Sequence, residues 1–434
     1  MTATPTAGAP RGYRTVEVPE TRRADLVEVD RLAFPSGPDP DADAAGLLAL
    51  DWTRTMGLAD PTGTLAGIHA SYPFSLPVPG SSVPCAGLTW VAVRPDHRRR
   101  GLLSSMLSTH FARSLARGEP VSALFAAEAA IYGRFGYGSA AADLHLTLAR
   151  GAGLRAVPGS AELELRLETA DPAAHDDLVR TVHHAAGAGR PGWIERATDE
   201  LRTRHLADPP SERRTAEVLR IVTVRDGAAV RGYALFRRTE HWVDGAPRGA
   251  VAVKDLAAVD GAAAHRLWSF LLDLDLMTSV ESPSLAVDDA LLQLLLDPRG
   301  ARPRVADNLW LRLLDVPAAL GARRYAAPVD VVLEITDELV PANAGRWHVR
   351  VDGPAAGDEN PGAGAAGLPA EVSATAAAAD LTLDVRDLAA AYLGGRSLAA
   401  LARAGLVTEH RPGALRGASA AFGWPLAPLC SWAF

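Results

Sequence analysis

An α/β (α+β) chain is predicted, with two copies of one mixed fold followed by a smaller third unit. Three observations carry that prediction. Strand and helix patterns alternate through the first ~150 residues with mixed connections, as a layered α/β core requires. The same order returns further on: Val251–Leu272 can be laid beside Leu88–Leu107, strand then long helix, without the glycine–arginine turn of the first. A strand-rich segment then closes the chain. Its 434 residues suit two to three domains, and the pattern divides them into 1–155, 156–325 and 326–434.

In the first unit, Tyr13–Pro19 reads as a strand and Thr21–Phe34 as a helix, with Leu26, Val29 and Leu32 at helical spacing. Pro35–Ala44, rich in Pro and Asp, reads as a loop. Gly63–Pro73 and Gly87–Val93 read as strands, and Pro77–Pro84 between them as a connection. Arg99–Arg117 is helical, Val121–Ala126 a strand, and Ala129–Gly138 a short helix entering a Gly-rich turn. Leu144–Leu148 is the strand expected to close the unit. In the second unit, strand Leu163–Glu168 precedes helix Ala173–Ala185. Strands Leu219–Arg225, Arg231–His241 and Gly249–Val259 then lead into helix Ala262–Asp275. The third has strands at Val331–Thr336, Arg346–Asp352 and Leu381–Val385, with helices at Val385–Leu393 and Ser397–Ala404. Gly353–Pro369 has the composition of a flexible insertion. Leu415–Phe434 starts helical and, after Trp424-Pro425, finishes as an extended tail.

Composition excludes several classes. The net charge of −7 gives no domain-wide basic footprint for nucleic acid. No apolar run approaches the roughly 18–20 residues of a membrane span; Ala290–Leu296 is closed by Asp297 and Pro298. Met1–Gly12 lacks a secretory h-region. Cys85 and Cys430 provide neither a disulfide framework nor a cysteine zinc site. His183-His184 has no neighbour at ligand spacing and reads as a solvated helix pair; Glu195, Glu200 and Arg202–His205 read as an exposed charged face. No metal is expected. A cytoplasmic location is expected, with secretion left open. Lys254 is the only lysine, so arginine is the ordinary cation of this chain and single arginines carry little weight.

One segment carries chemistry: Val91-Ala92-Val93-Arg94-Pro95-Asp96-His97-Arg98-Arg99-Arg100-Gly101-Leu102-Leu103. A buried strand breaks at Pro95 and re-enters as a helix through an Arg/Gly turn. Gly101 lets backbone approach a ligand closely. First-turn amides and the helix dipole then make a pyrophosphate site. Three arginines at a helix N-terminus oppose that dipole unless an anion is near.

V-x-V-x-P-x-x-R-R-x-G-L-L is similar to the acetyl-CoA signature of GCN5-related N-acetyltransferases (GNAT), with Leu103 where that pattern usually has Gly or Ala. Ala130–Gly138 (AIYGRFGYG), Leu309-Trp310-Leu311-Arg312 and Val316–Leu320 (VPAAL) resemble the enhanced intracellular survival (Eis) acetyltransferase family over essentially the whole chain. The resemblance implies tandem GNAT-like folds, the second degenerate and cofactor-free, then a sterol-carrier-like domain. It implies a homohexamer that transfers acetyl from acetyl-CoA to an amine of a small cationic acceptor, aminoglycoside-like or lysine-containing. Tyr132 would be the general acid, and the C-terminal carboxylate of Phe434 the general base. Acetyl-CoA would be held by Val91, Ala92 and Val93, by the turn Arg99, Arg100, Gly101, Leu102, Leu103 and Ser104, and by Ala127 and Glu128. Phe34, Trp52 and Asp307 would border the acceptor.

These roles suit their chemistry. A strand edge can hold an extended pantetheine arm. A carboxylate of unperturbed pKa about 3.3–3.7 needs burial to serve as a base, and the apolar tail Trp424, Leu426, Leu429, Trp432 and Phe434 would supply it. Tyr137 offers the same phenol as Tyr132, which is preferred on the motif. Ala433 stands where Eis relatives can carry an acidic residue, removing a possible contact to a cation. The rival reading is a non-catalytic scaffold whose sterol-carrier-like domain holds a hydrophobic ligand.

Overall fold

The computed structural model describes residues 8–34, 46–353 and 367–434. The loop Pro35–Ala44, most of Gly353–Pro369 and the start of Met1–Gly12 lie outside them.

The first unit contributes β1 (Arg14–Glu17), α1 (Arg23–Ala33), β2 (Met56–Ala59), β3 (Leu65–Val78) and β4 (Ser81–Val93). It continues with α2 (Leu102–Ala116), β5 (Val121–Leu124), α3 (Ala129–Tyr132) and β6 (Gly138–Ser139), then β7 (Ala142–His145) and β8 (Thr147–Ala149). The second supplies β9 (Glu164–Thr169), α4 (Pro172–Ala186), α5 (Asp199–Leu206), α6 (Pro210–Arg213), β10 (Arg220–Asp226) and β11 (Ala229–Thr239). There follow a small hairpin, β12 (Trp242–Val243) and β13 (Ala246–Pro247), and then β14 (Gly249–Ala258), α7 (Gly261–Leu272) and β15 (Met277–Glu281). β16 (Leu285–Ala286), α8 (Ala290–Leu294), β17 (Arg304–Asp307) and β18 (Trp310–Leu313) complete it. The third unit has α9 (Val316–Ala322), β19 (Val329–Thr336), β20 (Gly345–Val351), β21 (Glu371–Ala374), β22 (Leu381–Asp384), α10 (Val385–Ala391), α11 (Leu398–Arg403), β23 (Val407–Glu409) and α12 (Ala414–Phe422). Among the described residues, no helix is long and apolar enough to cross a membrane.

The two large sheets exchange strands. The first runs β1-β2-β3-β4-β5-β18-β6, so a strand from the end of the second unit sits between β5 and β6. The second runs β8-β15-β14-β11-β10-β9, with β8 antiparallel to β15 at its edge. The strand expected at Leu144–Leu148 therefore does not close the first sheet. It divides at Leu146, β7 pairing with β16 and β17 and β8 crossing to the second sheet. Exchange of this kind covers sheet edges that would otherwise be open.

Pro77–Pro84 also departs from expectation: β3 and β4 form one long hairpin, with Val78 opposite Ser81. Its prolines are tolerated because β2 pairs with β3 only as far as His69. Beyond that point β3 is an edge strand, and Pro84 precedes the first β4–β5 pair at Cys85; a missing N–H is harmless at such positions.

Arg312 of β18 locks the units together. It is fully buried and donates to both oxygens of Asp337 at 2.7 Å, and Asn343 adds a third bond to that carboxylate at 3.0 Å. The third sheet, β21-β20-β19-β22-β23, shares one apolar core with the β3–β5 face of the first.

Candidate active site

β4 and β5 run parallel from Cys85–Val121 to Gly87–Ala123, where their ladder ends. β4 continues along β3 as far as Val93, so Leu88–Val93 keep an edge with no β5 partner. A bulge interrupts this stretch: Ala70 faces Thr89 and Ile68 faces Ala92, with Trp90 between them at φ +53°. Such a kink re-aims backbone amides beside the opening.

The open edge leads into the arginine turn. Arg99 at φ +61° and Gly101 at φ +78° are both left-handed, so the turn bends sharply into the helix that follows. α2 then starts at Leu102 with no side chain capping it, so its first-turn amides face outward. Its apolar stripe, Leu102, Met106, Leu107 and Phe111, fixes the helix on the sheet. Arg100 is held in place, donating to the Tyr13 hydroxyl and to the Asp96 carbonyl, both at 3.0 Å. Arg98, Arg99 and Ser104 are exposed, and neither of those two arginines has a side-chain partner among the described residues.

Past β5, Ala127 and Glu128 are exposed and α3 delivers Tyr132 into a cluster with Leu88, Phe111, Val91, Leu103 and Trp310. The Tyr132 phenol is pushed up to about 12, by burial first and then by the Glu128 carboxylate. Its hydroxyl has no hydrogen-bond partner among the described residues. Tyr137 differs: it is fully buried, with its hydroxyl 2.8 Å from Ser122 Oγ, which also lies 2.8 Å from His110 Nε2 and donates to Ala86 O at 3.1 Å. That phenol is already committed to a closed network.

The last residue of the sequence lies on the other face of the sheet. The Phe434 ring packs 4.7 Å from Phe74, 5.3 Å from Phe125 and 5.8 Å from Trp432. A Cβ on Gly87 would stand 3.1 Å from the Phe434 ring and only 2.3 Å from Phe74. Gly87 is the last β4 residue paired with β5, so Phe434 caps the point where the strands part. Sequence reasoning missed Gly87, Phe74 and Phe125. A glycine inside a strand was the available signal.

The three residues expected to border the acceptor stand on different elements. Trp52 packs with Trp90 and α1 residues on the face that carries Ala92. Phe34 is exposed at the end of α1. Asp307 is exposed on β17 and accepts from Trp310 Nε1 at 2.7 Å. Two readings are corrected: His183 is buried against Ser431, 2.8 Å away, and His205 is bonded to buried Asp255 at 2.9 Å. Neither belongs to a solvated face, because segments distant in sequence cover them.

The acetyltransferase (GNAT) domain family matches residues 14–140, a second acetyltransferase (GNAT) domain family matches 192–313, and the sterol carrier protein domain family matches 316–431. The chain is 41% identical over 381 residues to an N-acetyltransferase of Streptomyces avermitilis, covering 86% of this chain and 88% of that one. It is 34% identical over 374 residues to the N-acetyltransferase Eis of Mycobacterium tuberculosis, covering 84% of each. The crystal structure of Eis1 from Mycobacterium abscessus superposes with a TM-score of 0.77 at 30% identity, covering 97% of this chain and all of that one.

Proposed function

The chain belongs to the Eis family of GCN5-related N-acetyltransferases, and from that premise we propose that it moves acetyl from acetyl-CoA to an amine, with Tyr132 and the carboxyl of Phe434 as its acid and base. The observation that carries the reading is the junction at Gly87. There the strands part, an unpaired edge leads to an uncapped helix end, and Tyr132 and Phe434 lie on the two faces.

Acetyl-CoA would supply the thioester. The residues present fit it: the Leu88–Val93 edge offers strand pairing, and the Arg99–Ser104 amides with the nearby arginines offer an anion site. An amine arrives as an ammonium and attacks only when neutral. The Phe434 carboxyl takes that proton, its side chain being held in place by Phe74, Phe125 and Trp432. The Tyr132 phenol, kept protonated by burial, donates to the departing sulfur. A backbone amide at the Trp90 bulge stabilises charge on the carbonyl oxygen.

The acceptor in this reading is a small cationic amine, aminoglycoside-like or lysine-containing; the assembly is a homohexamer and the location cytoplasmic. The carrier alternative calls for an apolar cavity in the third unit. The core of that unit holds the guanidinium of Arg323, fully buried between Tyr325 and Phe422 and donating to the carbonyls of Tyr392 and Phe422. A thiol-release assay with acetyl-CoA against aminoglycosides and lysine peptides tests the reading. Release that depends on an added amine is expected, and silence across the panel would refute this acceptor class.

A further inference from the structure

Phe434 and Trp432 pack on Phe74 and Phe125 of the first unit, but the hydrogen bonds that hold the tail before Phe434 come from the second unit and the segment that ends it. Arg190 donates to Ala427 O at 2.5 Å, and the amide of Leu429 donates to Pro191 O at 3.0 Å. Asn308 takes the amide of Cys430 at 2.9 Å and donates to its carbonyl at 3.0 Å. Ser431 meets His183 as described, and Trp432 Nε1 donates to Ile194 O at 2.7 Å.

Arg196 stands behind this row. Its guanidinium lies 5.2 Å from the centre of the Trp432 ring, and its Nη2 is 3.3 Å from Asp255 Oδ2. Both side chains are almost wholly buried, at 4% and 3% exposure. The Tyr233 hydroxyl donates to the same Asp255 oxygen at 2.8 Å, and His205 completes the set. Burial works to raise the Asp255 carboxyl, but Arg196, and after it His205, hold it below the ordinary carboxylate range. Burial lowers His205 to about 4 and His183 to about 3, so both imidazoles are neutral at physiological pH. A planar guanidinium fixed on one side by a carboxylate presents its face to an indole in a single orientation. Trp432 in turn packs on Phe434 and Phe74.

We propose that Arg196 is a positioning residue for acetyl transfer: it seats Trp432, and through it Phe434, where β4 and β5 part. The second GNAT copy then serves the reaction as the anchor of the tail. This rests on the reading of Phe434 as base, and the test separates the two.

The test uses the full chain carrying Arg196→Met together with Asp255→Asn, a pair that leaves no buried charge unpartnered. Ser431→Ala is the milder companion, and it reads the same two quantities should the pair fail to fold. One readout needs no turnover: the rate at which carboxypeptidase releases Phe434 from the native protein. The other is kcat, with KM for acetyl-CoA, using a lysine-containing peptide as acceptor. In the paired variant release should accelerate by about tenfold or more. kcat should fall about 10–100-fold with KM for acetyl-CoA unchanged, the signature of misplacement rather than lost binding. Ser431→Ala should move both quantities the same way by less, and Arg196→Lys should recover part of the loss. A role in stability alone would lower Tm and leave kcat per folded molecule intact. Release at the wild-type rate in the folded variants overturns the anchor. Faster release with unchanged kcat leaves the anchor standing and overturns the carboxyl mechanism instead.

Discussion

The N-terminal ends of α2 and α7 stand at equivalent points of two copies of one fold and are finished in opposite ways. α2 begins at a left-handed glycine with no side-chain cap and three arginines before it. α7 begins at Asp260, whose carboxylate accepts from the amide of Ala263 at 2.9 Å and is paired with Arg231. The strands part in both copies: β14 leaves β15 after Ala252 yet follows β11 to Ala258. Parted strands are therefore common to both copies. What differs is the helix end, which has no side-chain cap in one copy and is capped by its own carboxylate in the other.

The largest effect should come from removing Phe434. Transfer to amines should fall by about 10²–10⁴, the usual worth of a positioned base, while calorimetry still finds acetyl-CoA bound; unchanged turnover would dismiss the carboxyl. Next is Tyr132→Phe, expected to lower kcat about 100-fold. Tyr137→Phe should instead cost about 1 kcal/mol of stability through the lost bond to Ser122, with little change in kcat, and the reverse ranking in steady-state assays would exchange the two tyrosines. The high pKa of Tyr132 also fixes a sign. The folded chain keeps a proton that the unfolded chain releases from about pH 10 upward, so stability falls between about 10 and 12. Denaturant titrations should show a shallower fall in Tyr132→Phe. The smallest effect is Asp260→Ala, worth about 1 kcal/mol of cap stability and nothing in acetyl-CoA affinity. A loss of affinity there would blur the distinction between the copies.

Much of this was legible because it is local. The strand, proline, arginine turn and helix of Val91–Leu103 are contiguous, and so are the helix and glycine turn around Tyr132. The repeat was visible in element order alone. Pairing over long separations was not legible. β18 enters the first sheet from the far end of the second unit, and His183 is buried by Ser431, 248 positions away. No local pattern in either segment encodes its partner. The Pro77–Pro84 hairpin was hidden because an edge strand tolerates prolines that a central strand would not. The apolar tail announced that it is buried, but not against what. The Eis resemblance supplied the role proposed for Phe434, and Gly87 leaves the space its ring fills.

The central claim is that the first copy alone holds acetyl-CoA, through the open end of α2. Calorimetric titration of the wild-type chain and of Gly101→Asp tests it most directly. Aspartate there would meet a left-handed backbone and place a carboxylate at the uncapped helix start, as Asp260 stands at the start of α7 in the second copy. One acetyl-CoA per wild-type chain, with binding lost or weakened at least about 100-fold in the variant, is the expected result. Two equivalents per chain, or undiminished affinity in Gly101→Asp, would contradict it.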